Sequence, residues 1–154
     1  MKRFVLTSEA FGHGDRMPTR CTADGLDLSP PLAWRGAPEG TVAFALLVED
    51  PDAPGGTFAH WLLWGLPPSA TALAEAVPRR HHVADGARQG RNDYGRIGWG
   101  GPSPPAGAAH RYAFRLCALD KAVALAPAAS MVDLLRAIDG HVLAVAELVG
   151  TYGR

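Results

Sequence analysis

The segment Glu49-Asp50-Pro51-Asp52-Ala53-Pro54 is the part of this sequence that most constrains the fold. Each proline fixes its own φ and lacks a backbone donor, so the aspartates cannot continue a regular strand through this segment. We therefore predict a rigid corner at the end of a strand. The Ala53–Pro54 peptide bond is a candidate for the cis form, because such a bond would help to close a corner that is stiff at both ends.

Apolar side chains alternate with period two on both sides of this corner, which predicts strands. The predicted strands span residues 41–49, 58–64 and 110–119, with a shorter one at 4–7. In the strand 110–119, Arg111 and Arg115 share one face, so we expect that face to be partly wet and the opposite face to be buried.

Composition favours one β-rich domain over residues 1–154. The chain has 154 residues, 47% of them apolar, which is enough to bury a core. Its 18 glycines and 13 prolines predict many turns between short strands. Three long connections, at 12–32, 77–96 and 98–107, are candidates for functional loops because long loops in compact domains often carry function.

The C-terminal region changes character. Ser130 and Asp133 have the spacing of a capping box, and the apolar residues that follow have helical spacing, which predicts a helix. After the break at Asp139-Gly140, we expect a second helix or a bent continuation over residues 141–148. Strands first and helices last favour a sandwich with helical decoration over repeated βαβ units.

Charge and cysteine content exclude several classes of protein. The formal net charge is zero and no basic stripe is present, so we expect no nucleic-acid partner. The apolar run near the N-terminus is too short for a signal peptide or a membrane span, which predicts a cytoplasmic protein. Cys21 and Cys117 lie outside any CxxC pattern, so we expect reduced thiols, no disulfide, no structural metal and no cofactor.

Polar residues near the corner are candidates for a binding pocket. His110 and Tyr112 share one face of their predicted strand, about 7 Å apart along it. If the strand that carries His60 neighbours the one that ends at Asp50, these four side chains meet at one rim of the sheet. Imidazole N–H donors, a hydroxyl and a carboxylate that orients them suit an anion such as a phosphate monoester or a carboxylate.

Other interpretations of the same residues stay open. A single histidine on a strand is commonly a core residue whose hydrogen bonds are satisfied. His60, His110 and Asp50 are also compatible with a facial triad of metal ligands, although no HExxH or HxH motif is present. A hydrolase using the two histidines as acid and base, with Asp50 as orienter, is the alternative to a binding protein. No GxSxG motif is present, and Ser103 lies between two prolines.

At these positions the sequence resembles the phosphatidylethanolamine-binding protein family, in particular its bacterial Raf-kinase-inhibitor-like branch. The resemblance covers essentially the whole chain and rests on ordered motifs. They are Ser29-Pro30-Pro31-Leu32-Ala33-Trp34, Asp50-Pro51-Asp52-Ala53-Pro54, His60-Trp61, Arg91-Asn92-Asp93-Tyr94-Gly95, Gly101-Pro102-Ser103-Pro104-Pro105 and Gly107-Ala108-Ala109-His110-Arg111-Tyr112.

The resemblance implies a mainly β fold, a sandwich of two antiparallel sheets with C-terminal helices next to a small anion-binding pocket. By motif position, the pocket would be lined by Asp50, His60, Pro104, His110 and Tyr112. Relatives often have a tyrosine where this chain has Trp99, and a glycine or alanine where it has Ser103. Either difference could narrow the pocket or change its donors, and the sequence leaves open which of these it does.

The resemblance also implies a function. Family members bind phosphate-like groups and phospholipid headgroups, and eukaryotic members inhibit kinases or act in signalling. The leading hypothesis is a non-enzymatic module with no catalytic residue, which binds a phosphate-like anion, a phosphorylated small molecule or a phosphorylated protein segment, with a regulatory role left open. The resemblance allows a homodimer, although no exposed apolar helix in the sequence demands one.

Overall fold

The structure, a computed structural model, describes residues 3–154. In this range the chain forms eight strands, one α-helix and two 3-10 helices. The strands are β1 (Val5–Thr7), β2 (Leu32–Arg35), β3 (Ala43–Asp50), β4 (Phe58–Leu66), β5 (Ala72–Leu73), β6 (Arg88–Gln89), β7 (His110–Leu119) and β8 (Val142–Tyr152). The α-helix α1 is Met131–Ile138, and the 3-10 helices are Thr19–Cys21 and Ala84–Gly86.

The strands of the described range are arranged in two sheets. The larger sheet has the order β6-β4-β3-β7-β8, and the smaller sheet has the order β1-β2-β5. Neighbouring strands pair in the antiparallel direction in both sheets. The expected mainly β fold with two antiparallel sheets is confirmed.

Strand β3 lies at the centre of the larger sheet, and its two faces belong to different cores. Phe44 and Val48 pack between the two sheets, together with Trp34 of β2. Leu47 packs on the opposite face, in the core that includes Leu134 of α1. The larger sheet is therefore covered by the smaller sheet on one side and by α1 on the other. Its buried strands are held in place from both faces.

The strands predicted at 4–7, 41–49, 58–64 and 110–119 correspond to β1, β3, β4 and β7 and are confirmed, with β7 matching in both bounds. Strands β2, β5, β6 and β8 were not predicted. Arg111 is exposed and Arg115 half-buried, as expected for a partly wet face, but the same face buries Cys117 and Leu119 where α1 covers it.

The predicted second helix over residues 141–148 is wrong. Helix α1 is confirmed, with Ser130 and Asp133 forming the predicted capping box, and it is followed by β8 instead. Strand β8 pairs with β7 from Leu119↔Val142 to His110↔Tyr152, so the tertiary partner supplies the backbone hydrogen bonds of the segment. Ala146, Leu148, Gly150 and Tyr152 are buried in alternation, which is the period of a strand.

The prediction of a cis Ala53–Pro54 bond is wrong, because none of the peptide bonds in residues 3–154 is cis. Hydrogen bonds close the corner. The backbone N–H of Asp52 donates to Asp50 Oδ1 at 2.8 Å, and that of Gly56 donates to the Ala53 carbonyl at 3.1 Å. Gly56 has a φ of 106°, which glycine adopts at little cost, so this residue accommodates the chain reversal.

The loop at 98–107 lies against the N-terminal region of the chain. The backbone N–H of Gly101 donates to Asp27 Oδ1 at 2.8 Å, and that of Ala23 donates to the Pro102 carbonyl at 3.0 Å. An added Cβ at Gly101 would lie 2.5 Å from the Cys21 carbonyl oxygen and in contact with the Asp27 carboxylate. Only glycine therefore allows this approach of the two backbones.

Gly101→Ala should lower the free energy of unfolding by roughly 1–3 kcal/mol, the cost typical of overpacking a site whose neighbours are backbone atoms. Gly55→Ala is the matched control, because an added Cβ there meets nothing within 4 Å and the φ of Gly55 is not positive. Urea unfolding of both variants measures the difference. Equal stabilities would contradict the close packing of the loop against Cys21.

Candidate functional site

The ends of three neighbouring strands bring the predicted site residues together. Asp50 ends β3 and pairs with Phe58, the first residue of β4, so His60 lies two residues further along β4. On the other side of β3, Glu49 pairs with Ala113 of β7, which brings the start of β7, with His110 and Tyr112, beside the end of β3. The central position of β3 therefore determines the site.

These strand ends surround a cavity of about 150 Å³. All five residues predicted for the pocket line it: Asp50, His60, Pro104, His110 and Tyr112. The other lining residues are Ala53, Pro54, Phe58, Tyr94, Ser103 and Pro105. The corner after β3 and the proline-rich loop at 98–107 thus form the walls between the strand ends.

Asp50 and His110 form a buried pair in the pocket. His110 Nδ1 lies 2.7 Å from Asp50 Oδ2, and the two residues are 8% and 3% exposed. The other carboxylate oxygen of Asp50 accepts the backbone N–H of Asp52. Because a buried carboxylate is costly unless its oxygens are hydrogen-bonded, these donors explain how Asp50 is tolerated there. The pair turns Nδ1 of His110 away from any ligand and leaves Nε2 free.

His60 is fixed by a carbonyl oxygen. Its Nδ1 lies 2.5 Å from the carbonyl oxygen of Gly100, and that oxygen can only accept, so Nδ1 carries the proton and donates. The backbone N–H of Gly100 donates in return to the His60 carbonyl at 3.0 Å. Burial lowers the pKa of His60 below its usual value, and the hydrogen bond to Gly100 opposes this effect only in part. The neutral ring with an unprotonated Nε2 is therefore favoured.

Nε2 is the ring nitrogen that each of the two histidines has left for a ligand, because Nδ1 is engaged in both and both rings line the cavity. Within residues 3–154, Trp34 Nε1 and the Tyr112 hydroxyl are the fully buried side-chain nitrogen or oxygen atoms that lack a hydrogen bond. His60 Nε2 and His110 Nε2 also make no hydrogen bond to described residues, yet they are not fully buried. Both atoms are therefore reached from the cavity that the two rings line.

Tyr112 is the third polar group of the pocket. Its hydroxyl has no hydrogen-bond partner among the described residues, and its ring packs edge-on against His60 with 5.2 Å between centroids. Burial and the nearby Asp50 carboxylate raise the pKa of Tyr112, so the phenol keeps its proton. A buried hydroxyl without a partner is a donor that a bound ligand can satisfy.

Sequence reasoning missed the aromatic wall of the pocket. Tyr94 packs edge-on against Phe58 and His60, with ring centroids 4.7 and 5.6 Å away, and donates its hydroxyl to the Gly101 carbonyl at 2.8 Å. Tyr94 lies in a motif that carried the family resemblance, and Phe58 shares a strand face with His60. Those were the available signals for both residues.

Trp99 and Ser103 differ in their relation to the pocket. Trp99 does not line the cavity. Its ring stacks on Phe114 of the core, and its Nε1 donates to the Cys21 carbonyl at 3.1 Å. Because its side chain turns into the core between the sheets, Trp99 supplies no donor to the cavity. Ser103 does line the cavity, and its hydroxyl oxygen accepts from Arg154 at 3.2 Å.

The electrostatics of the cavity depend on histidine protonation. Among its lining residues in the described chain there is no lysine or arginine, and Asp50 is the only carboxylate. The described residues also contain no group of three or more His, Cys, Asp or Glu side chains placed to hold a metal ion. The geometry gives no support to the facial-triad interpretation of His60, His110 and Asp50.

A model of the family described as phosphatidylethanolamine-binding protein matches residues 7–153 of the chain. The chain belongs to this family. A "UPF0098 protein" of Methanothermobacter thermautotrophicus is 47% identical over 149 residues, which are 97% of this chain and 98% of that protein. The crystal structure of Escherichia coli YbcL, described as a new member of the mammalian PEBP family, is 34% identical with a TM-score of 0.93, covering 98% of each chain.

Location is not decided by family membership. In the part of the chain that the structure describes, no helix combines the length and apolar character of a membrane span. A Mycobacterium tuberculosis relative is named "Putative lipoprotein LppC"; it is 36% identical over 149 residues, which are 96% of this chain and 71% of that protein. The cytoplasmic location expected from the sequence stays a prediction.

The ion pair at the corner gives a prediction for acid stability. Asp52 accepts the side chain of Arg111 at 2.8 and 3.0 Å, and these hydrogen bonds lower the pKa of Asp52 to about 2. This pKa lies below that of an aspartate in the unfolded chain, about 3.9. The ionised Asp52 therefore stabilises the folded protein fully above about pH 3.9, and this contribution is lost as the pH falls towards 2.

Asp52→Asn should therefore flatten the fall in the free energy of unfolding between about pH 4 and about pH 2. The effect should be modest, because the Arg111 side chain is 63% exposed and water screens the pair. Asp139→Asn is the control, since Asp139 is exposed and forms no ion pair with the described residues. Identical acid profiles for wild type and Asp52→Asn would contradict the prediction.

Proposed function

We propose that the pocket binds a small phosphate-like anion, a phosphorylated small molecule or a phospholipid headgroup, without catalysing a reaction. The observation that carries this proposal is the convergence of three polar groups on one cavity. Nε2 of His60, Nε2 of His110 and the Tyr112 hydroxyl are all without partners among the described residues. A phosphate group offers oxygens that accept from the Tyr112 hydroxyl and from an imidazole that is protonated, and in its protonated form it can donate to one that is not.

The size and walls of the cavity support a small ligand or headgroup. A volume of about 150 Å³ fits one oxyanion group and little more. Pro54, Pro104 and Pro105 stiffen the walls, so the cavity is largely preformed. The remainder of a larger ligand would extend out of the opening, across the loop at 98–107.

Non-enzymatic binding is favoured over hydrolysis by the position of the available hydroxyl. Ser103 is the serine that lines the cavity, and its hydroxyl oxygen accepts from Arg154. No hydrogen bond among the described residues joins it to His60 or His110, whose Nδ1 atoms contact Gly100 and Asp50. A hydrolase that works through a side-chain nucleophile would need that nucleophile paired with such a base. Turnover of phosphate or ester substrates by wild type, abolished in His110→Ala, would contradict the proposal.

The proposal also includes a regulatory role, a cellular location and an oligomeric state. A regulatory role resembling that of kinase inhibitors would place a phosphorylated segment of a protein in the pocket. A cytoplasmic location and a homodimer belong to the same proposal. Cell fractionation tests the location, and light scattering at high protein concentration tests the dimer.

His110→Ala should weaken phosphate binding by about 1.5–3 kcal/mol, the scale of a lost hydrogen bond to a charged group. The change also leaves Asp50 without its buried partner, so the circular dichroism of the variant should be compared with that of wild type. His141→Ala is the control, because His141 pairs with Asp120 away from the cavity. Calorimetric titration that finds no loss in His110→Ala would show that the pocket is elsewhere.

Phosphate affinity should also rise as the pH falls. An anion favours the protonated form of a neighbouring imidazole, so binding takes up a proton and is stronger at low pH. Because burial lowers the pKa of His60, the rise should continue below the ordinary histidine pKa of about 6.5. Titration calorimetry at about pH 5.5 and about pH 8 measures this. Equal affinities at the two pH values would contradict it.

A further inference from the structure

The hydrogen bond between His60 and Gly100 determines what kind of ligand the pocket accepts. Nδ1 of His60 must donate, because its partner is a carbonyl oxygen. In the neutral ring, Nε2 then carries a lone pair, and this lone pair faces the cavity. His60 is therefore an acceptor towards the ligand until the ring is protonated.

The Asp50–His110 pair adds no net positive charge. If His110 is protonated, its charge and that of Asp50 cancel; if His110 is neutral, the pair carries a net charge of −1. Among the groups that line the cavity, which include no lysine or arginine, only protonated His60 adds net positive charge. The guanidinium of Arg154 donates to Ser103 and to the Pro104 carbonyl from outside the lining, and its charge is paired with that of Asp24. A fully deprotonated oxyanion consequently meets a lone pair on His60 and no net countercharge among the groups that line the cavity.

Groups from several elements influence His60. Burial lowers the pKa of His60 most, whereas the nearby carboxylates raise it to a smaller extent. The titratable or charged groups that face His60 are Asp50 of β3, His110 and Tyr112 of β7, Asp93 and Tyr94 of the loop after β6, and Asp27 of the N-terminal region. Their combined effect leaves the neutral ring favoured at neutral pH.

A phosphate monoester can satisfy this arrangement because it titrates near neutral pH, with a second pKa of about 6. Its singly protonated form has one P–O–H group that can donate to Nε2 of His60. The remaining oxygens accept from the Tyr112 hydroxyl, which lacks a partner among the described residues. Sulfate and phosphodiesters carry no proton at neutral pH and can only accept.

We propose that at neutral pH the pocket selects phosphate monoesters in their singly protonated form over phosphodiesters and sulfate. This inference rests on the proposed function, anion binding in the same pocket. It narrows the ligand class, since a phospholipid headgroup is linked through a phosphodiester. The monoester of a small metabolite or of a phosphorylated residue has the required proton.

Titration calorimetry with methyl phosphate, dimethyl phosphate and sulfate tests the inference. Singly protonated methyl phosphate and dimethyl phosphate have the same charge and differ in one proton against one methyl group. Dimethyl phosphate is also larger than methyl phosphate by one methyl group. Sulfate has neither a proton nor a methyl group, so weak binding of sulfate cannot be due to added size. With a second pKa of about 6, only about one part in thirty of methyl phosphate is singly protonated at about pH 7.5. Calculated on the concentration of that form, methyl phosphate should bind about tenfold or more tightly than either of the other two, the consequence of one opposed hydrogen bond in a buried site. At about pH 5, protonation of His60 should narrow the gap to sulfate.

The outcomes separate this inference from the proposed function. On the concentration of singly protonated methyl phosphate, equal affinity for all three probes at about pH 7.5 would overturn the selectivity and leave anion binding in place. Tighter binding of dimethyl phosphate or sulfate on the same basis would overturn it as well. If none of the probes binds at either pH, both the proposed function and the inference fail.

Two variants test the role of the imidazole. His60→Gln places an amide that can donate to the ligand where Nε2 can only accept, so the preference for methyl phosphate over sulfate should disappear. Tyr112→Phe is the matched variant on the same wall, and it should weaken all three probes by a similar factor while keeping the preference. Loss of the preference in Tyr112→Phe, or its persistence in a folded His60→Gln protein, would overturn the assignment to His60.

Discussion

The paired hydrogen bonds between His60 and Gly100 connect the sheet to the loop that closes the pocket. The backbone N–H of Gly100 donates to the His60 carbonyl, and Nδ1 of His60 donates to the Gly100 carbonyl. The first bond positions the loop at 98–107 beside β4, and the second fixes which ring nitrogen carries the proton. The walls of the cavity and the hydrogen-bonding character of His60 thus have a common origin.

Burial of both faces of the larger sheet makes the polar site sensitive to its partners. Asp50 and His110 lie at strand ends with little access to water, where an unpaired polar group costs free energy. His110 and His60 each use Nδ1 for a hydrogen bond within the protein, and Asp50 uses Oδ2 for the bond with His110. What remains towards the cavity is a small and fixed set of atoms, which is why the protonation of one ring can decide selectivity.

The sequence was sufficient to predict β7 and the central strands, because period-two alternation and the proline corner are local signals. The same signals placed Asp50, His60, His110 and Tyr112 at one rim, whereas Pro104 came only from its motif position in the family. It was not sufficient for β8, whose strand conformation depends on pairing with β7 rather than on its own pattern. The wall formed by Tyr94 and the turn of Trp99 into the core depend on loop packing. The tautomer of His60 depends on a carbonyl 40 residues away in sequence, which no local pattern contains.

Nitrogen-15 NMR of the histidine rings at neutral pH tests the central claim most directly. Long-range couplings from the ring protons distinguish a nitrogen that carries hydrogen from one that holds a lone pair. For His60, assigned by comparison with the His60→Gln variant, the structure predicts a protonated Nδ1 and an unprotonated Nε2. A His60 ring that carries its proton on Nε2, or on both nitrogens, at about pH 7.5 would contradict the account.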